Sequence, residues 1–198
     1  MSPPRFVIVS GPPGAGKTTW APALARALDM PLFSIDAIKE RLADAIGKRA
    51  LGFADELGDA AMQQVLYIAE GVLAAGDNLM IEGFMRHGLT EPLLASLVSL
   101  ADTVLVHLYA ADLVLKQRYE ARAVLPERHW IHGDIARLGT LLPELPAEMA
   151  APLDLGISRI FIDTTTGSIP VNDVAALVTS AFGCSPPRDH TWPALRSA

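Results

Sequence analysis

Short apolar runs alternate along the chain with longer stretches whose hydrophobic positions recur every three or four residues. Residues 6–9 are apolar and mostly β-branched, as a strand covered on both faces of a parallel sheet should be. Trp20, Leu24 and Leu28 then share one face of a helix predicted over 16–29. Residues 32–35 read as a second strand, stopped by Asp36, and 37–75 as mostly helical with breaks near Gly47, Gly52 and Gly58. A Gly76-Asp77 turn signal introduces a third strand over 78–83, a helix follows over about 89–101, and 103–109 is the strongest strand pattern. Residues 111–123 read as helix, 125–134 as a polar irregular segment, and another helix is expected to begin near Asp134. Residues 159–163 form a fifth strand and 171–182 a last helix. Strands alternating with helices imply a three-layer α/β fold with a mostly parallel, five-stranded sheet. The tail 184–198 has no period and reads as loose, with Trp192 able to pin it to a surface.

Composition narrows the function. The 198 residues suit one domain, taken as 1–183 plus the tail. The hydrophobic share is 51% and the charged share 19%, which excludes an intrinsically disordered chain. A net charge of −6 repels nucleic-acid backbones and anionic lipid at long range, so any phosphate site must be built locally. The single cysteine, Cys184, cannot close an internal disulfide, and no Cys/His spacing suggests zinc. No run approaches the ~20 apolar residues of a membrane span, and the apolar run ending at Val9 is too brief for a signal-peptide core. A cytoplasmic protein with no membrane partner is the expectation; composition leaves the oligomeric state open.

One stretch carries decisive chemistry. Gly11-Pro12-Pro13-Gly14-Ala15-Gly16-Lys17-Thr18-Thr19 fits G-x-x-x-x-G-K-[ST], between a buried strand and a helix. The glycines let successive N–H groups turn inward on phosphate oxygens, and the helix start adds its positive dipole end. Lys17 would reach the β- and γ-phosphates of ATP, and the Thr18 hydroxyl would ligate Mg²⁺. Such a loop serves switch GTPases, motor ATPases and small-molecule kinases alike. A guanine-reading N-K-x-D is missing, because Asn78 and Asn172 precede Leu and Asp, and Asp55-Glu56-Leu57-Gly58 follows no strand.

Asp36 ends the second strand, where a carboxylate facing the γ-phosphate could take the proton of an acceptor hydroxyl, or could simply cap the following helix. Val9 to Thr19, then Ser34-Ile35-Asp36-Ala37-Ile38-Lys39-Glu40-Arg41-Leu42, together resemble the P-loop kinase family that includes chloramphenicol phosphotransferase and the zeta toxins. Further likeness lies at Ile81-Glu82-Gly83-Phe84, from Leu115 to Arg128-His129, and at Phe161-Ile162-Asp163-Thr164, so it spans about 5–182. Where relatives often carry a Pro-Gly-His turn, this chain has Trp130-Ile131-His132-Gly133. The resemblance implies a P-loop NTPase fold with a helical lid over about 115–134, Asp36 as catalytic base, and an adenine-contacting loop after Asp163 and Thr164.

Other residues keep two readings. Glu82 could hold a magnesium-bound water or meet the acceptor, or merely form a turn beside Gly83. Arg118, Arg122 and Arg128 could close over the phosphates, or Arg118 and Arg122 could pair with Glu120, Glu127 or solvent. His129 and His132 suit a turn or a substrate contact better than a metal, and Arg86 and His87 would border an acceptor pocket. Leu51, Phe53, Leu57, Met62, Leu66 and Tyr67 could wall that pocket, core packing being the plainer role for most. The resulting expectation is an ATP- and Mg²⁺-dependent kinase acting on a hydroxyl of a small metabolite or antibiotic. The alternatives are a nucleotide-binding regulatory module with slow ATPase activity and a polynucleotide or RNA-end kinase.

Overall fold

A computed structural model describes residues 2–137, 151–166, 170–183 and 189–191. The five expected strands are β1 (Arg5–Ser10), β2 (Leu32–Ser34), β3 (Leu79–Glu82), β4 (Asp102–Tyr109) and β5 (Ser158–Asp163). All pair in parallel in the order β2-β3-β1-β4-β5, and a three-residue β6 (Asp189–Thr191) extends β5 at the edge. This last strand lies inside the tail expected to be loose; Trp192 falls outside the described residues.

The helices are α1 (Lys17–Leu28), α2 (Ile35–Ile46), α3 (Ala54–Ala74), α4 (Glu91–Leu100), α5 (Asp112–Ala123) and α6 (Val171–Ala181). Central strands β1, β3 and β4 are buried on both faces, which explains their unbroken apolar sequences. On one face Val7, Val9, Val104 and Val106 pack against α1 and α6 through Leu24, Val174 and Val178. On the other, Phe6, Ile8 and Leu105 meet α3 and α4 through Val65, Leu73, Leu94 and Leu97. A third cluster joins Ala43, Ala50 and Leu57 to Ile131, so the segment after α5 is anchored on α2 and α3. Among the described residues no helix is long and apolar enough to cross a membrane.

Two element boundaries depart from the sequence pattern. Ile35 is apolar and prolongs the β2 pattern, yet it opens α2, because the Ser34 hydroxyl accepts from Ala37 N–H at 3.3 Å and caps the helix. Asp36 therefore neither ends the strand nor caps the helix. The chain does break at Gly47, through a 3₁₀ turn over Lys48–Phe53 that includes Gly52, but Gly58 lies within α3. Asp55 and Glu56 simply occupy the favourable first turn of α3. Near Asp134 the chain forms a 3₁₀ turn, Asp134–Arg137; the rest of the helix expected there lies outside the described residues.

Of the helical stretch considered as a pocket wall, Leu57 and Leu66 are buried in the core and Met62 packs against it. Leu51, Phe53 and Tyr67 are exposed, and none of the six lines the cleft described next.

Candidate active site

In a parallel sheet the ligand-binding crevice opens beyond the carboxyl ends of the strands. Here that edge holds a cleft of about 770 Å³, lined by residues 13–20 of the loop after β1 and the start of α1, by Asp36 and Lys39 of α2, and by Phe84 beyond β3. Arg118, Tyr119 and Arg122 of α5 close it, together with Arg128, His132, Asp134 and Thr164.

The loop has the geometry its glycines were expected to supply. Gly11, Gly14 and Gly16 have φ of 145°, 85° and 86°, a region costly for residues with a Cβ. A Cβ on Gly11 would stand 2.0 Å from the Leu108 carbonyl oxygen, and one on Gly14 2.6 Å from that of Leu115. The loop is thus pressed onto β4 and α5. No side chain caps the start of α1, so its leading N–H groups are offered to the cleft. Lys17 Nζ donates to the carbonyls of Gly11 at 2.7 Å and Pro12 at 3.0 Å. Burial lowers its pKa to about 8, against the opposing pull of the Glu82 and Asp36 carboxylates. An inward-turned loop, a helix start without a cap and a desolvated lysine fit a polyphosphate, and Thr18 lines the same cleft with a hydroxyl able to ligate Mg²⁺.

Asp36 reaches the cleft from the first turn of α2, near enough to Lys17, Arg122 and His132 for its charge to oppose the lowering that burial imposes on the pKa of each. Glu82 does not line the cleft. It is buried beneath the loop, accepts a short hydrogen bond from the Ser34 hydroxyl, and is pushed above the usual carboxylate range by burial, against the pull of that bond and of Lys17. The strand pairing Ser34↔Glu82 brings the two together. Glu82 therefore ties β3 to the residue that caps Asp36's helix. Gly83 packs so tightly on Ile35 that an added Cβ would fall 2.5 Å from its Cδ1.

Three lid arginines face the cleft, but not with the partners expected from sequence. Arg118 donates to the Thr164 hydroxyl at 3.0 Å and to the Thr164 carbonyl at 2.6 Å. The same hydroxyl, with one proton to share, lies 3.2 Å from the Ala15 carbonyl and 3.0 Å from that of Tyr109. Thr164 is thus a side-chain knot between P-loop, β4 and α5, a role that backbone contact with adenine alone would not require. Arg128 Nε donates to Asp134 Oδ2 at 2.6 Å, and Arg122 Nη2 lies 3.7 Å from the same oxygen. Glu120 pairs with Lys116 instead, at 4.0 Å. Burial and the neighbouring Arg128 both lower the Arg122 pKa.

His132 Nε2 meets Glu40 at 2.7 Å and His129 Nε2 meets Asp44 at 3.0 Å, so both histidines fasten the segment after α5 to α2. Among the described residues no group of three His, Cys, Asp or Glu could hold a metal. Arg86 is exposed and His87 pairs with Glu91 at 2.8 Å; neither lines the cleft.

Glu40, Asp134, Tyr119 and the Thr164 side chain are the additions that sequence reasoning missed. Only Glu40 carried a local signal, since Asp36, Glu40 and Asp44 recur every four residues on α2 and so share one face.

Comparison with known proteins bears on the fold. The family model described as AAA domain (AAA_33) matches residues 6–130. The chain belongs to that family. No curated protein sequence matches it. This AAA domain is similar to a "putative kinase" from Chloroflexus aurantiacus J-10-fl, at 27% identity and TM-score 0.79 over 91% of this chain and 100% of the other. A sugar kinase from Janibacter sp. HTCC2649 shares the fold at 18% identity and TM-score 0.63, over 90% and 96% of the two chains. An APS kinase from Mycobacterium tuberculosis, solved with AMPPNP and APS, shares it at 14% identity and TM-score 0.56, over 91% and 98%. The AAA domain here has a P-loop kinase-like fold.

Proposed function

We propose that the protein is an ATP-dependent kinase that transfers the γ-phosphate to a hydroxyl of a small molecule, a metabolite or an antibiotic. One observation carries the reading: a single cleft is lined by the P-loop with Lys17, by the Asp36 carboxylate and by three arginines. The kinase names of the structural relatives support it, the Chloroflexus protein most.

Chemically, Asp36 would accept the proton of the acceptor hydroxyl while that oxygen forms its bond to the γ-phosphorus. The bond from the γ-phosphorus to the β,γ-bridging oxygen breaks and ADP departs. Lys17, the loop N–H groups and the start of α1 stabilise the charge shifting onto the phosphates. Arg122 and Arg128 add positive charge from the lid side, and Arg118 holds α5 to the loop through Thr164. Thr18 is the residue that would hold Mg²⁺, which when bound neutralises phosphate charge.

Because Ser34 already caps α2, Asp36 carries no capping duty, and Asp36→Asn isolates its chemistry. Transfer should fall by the ~10²–10⁴-fold typical of a lost general base, with ATP affinity and melting temperature nearly unchanged. ADP release screened over sugars, nucleosides and antibiotics would first supply the acceptor. Full transfer by the Asn variant would remove Asp36 from the mechanism.

A further inference from the structure

Asp134 was expected only to begin a helix, and the kinase reading gives it no role. It is nevertheless a carboxylate facing the cleft while only 7% exposed. Both of its oxygens are engaged by cleft residues. Oδ1 accepts from the Tyr119 hydroxyl at 3.0 Å, and Oδ2 accepts from Arg128 Nε at 2.6 Å with Arg122 Nη2 at 3.7 Å.

We propose that Asp134 is a positioning residue that holds Arg122 and Arg128 together at the mouth of the cleft, aimed at the terminal phosphate of the nucleotide. This rests on the kinase reading above. Two neighbouring guanidinium groups repel each other, and the buried carboxylate between them offsets that repulsion. Binding Arg128 through Nε uses the inner edge of its guanidinium and leaves the Nη donors for another acceptor. Its Nη1 lies 3.9 Å from Glu40 Oε1, beyond hydrogen-bond reach. Arg122 has no hydrogen bond to Asp134, and its buried Nε finds no hydrogen-bond partner among the described residues. Tyr119, about one turn before Arg122 on α5, fixes the carboxylate in turn. Burial would raise the Asp134 pKa, but Arg128, Arg122 and Tyr119 outweigh it and hold the carboxyl below its ordinary range, so the anion persists at neutral pH. Donors held in place before the nucleotide arrives spare the reorganisation that two free arginines would need.

The test compares Mg·ADP with the Mg complex of the β,γ-imido analogue of ATP, by calorimetry on the full chain. Asp134→Asn should leave ADP affinity within about twofold and weaken the analogue by about tenfold or more, the value of a charge-assisted hydrogen bond. Intrinsic ATP hydrolysis should lose kcat more than it gains in KM, and the Arg128 Nε–H resonance should move as its charged acceptor is lost. Equal weakening of both ligands, or an analogue affinity unchanged beside a shifted Arg128 resonance, would overturn the positioning role. Tyr119→Phe keeps every charge and serves if the Asn variant does not fold. It should weaken the analogue selectively by about threefold, because the carboxylate and its arginine contacts stay while only its tether to α5 is lost, and an unaltered ratio of the two affinities overturns the proposal. A wild-type chain that binds neither nucleotide would overturn the kinase reading and this inference together. One that prefers the analogue, beside an Asp134→Asn variant with the same preference, would overturn the inference alone.

Discussion

Lys17 is held by two loop carbonyls and is penalised for its charge by burial, the same cause that lowers its pKa to about 8. Its ammonium therefore adds little to the stability of the free protein, and its value lies in meeting phosphate oxygens. Lys17→Ala should leave the melting temperature of the free protein unchanged or slightly raised. ATP affinity should fall about 10–100-fold, the worth of one or two charge-assisted hydrogen bonds. Calorimetry and a thermal melt on the same preparation check both halves. Undiminished ATP affinity would mean that the loop does not cradle phosphate. The place of this residue in the cleft was legible in the sequence, because a P-loop encodes its geometry within eight consecutive positions, Gly11 to Thr18. Asp36 was visible as a carboxylate near the switch point, but its freedom from capping duty was not. That rested on Ser34, and the apolar Ile35 prolonged the β2 pattern over the true helix start.

At the level of elements, the sheet was legible because parallel strands buried on both faces must be apolar throughout. The additions came where the pattern was thin: β6 is three residues held to β5 by ladder pairing, which leaves no periodicity to read. Strand β4 holds another feature that no pattern announces. His107, aligned with Ser10 of β1, is only 4% exposed and its Nδ1 has no hydrogen-bond partner among the described residues. Burial, with a smaller contribution from Lys17, lowers its pKa to about 4. The folded state therefore binds fewer protons here than the unfolded state, whose histidine titrates near 6.5. The sign follows directly: full stability above pH 6.5, then loss as pH falls toward 4, with a ceiling of about 3 kcal/mol. Urea unfolding at pH 7.5 and pH 5 should show this loss, and His107→Phe should flatten it. A variant with the same pH slope as the parent would move the acid sensitivity elsewhere.

For the whole molecule, the important coupling is between the segment after α5 and the helix that carries Asp36. Arg128, His129 and His132 reach Glu40 and Asp44 on α2, while Ile131 packs with Ala43 and Leu57. The sequence marked the arginines as candidates but could not show this docking, because the partners of His129 and His132 lie 85 and 92 residues away and Asp134 lies in a turn without a motif. The docking also separates two arginines that looked equivalent. Arg128 has 15% side-chain exposure and bonds Asp134 directly, whereas Arg122 has 34% exposure and stands 3.7 Å off. Removing Arg128 leaves a buried carboxylate without its main partner, so Arg128→Ala should cost about 3 kcal/mol in urea unfolding. Arg122→Ala should cost no more than about 1 kcal/mol, the scale of a partly exposed ion pair. If both arginines meet the transferring phosphate, each variant should nonetheless lose more turnover than ATP affinity. The informative variant is thus Arg122→Ala, whose fold is preserved while its chemistry is impaired. Normal turnover in that variant, once an acceptor is known, would assign Arg122 to the surface and leave Arg128 alone at the phosphate.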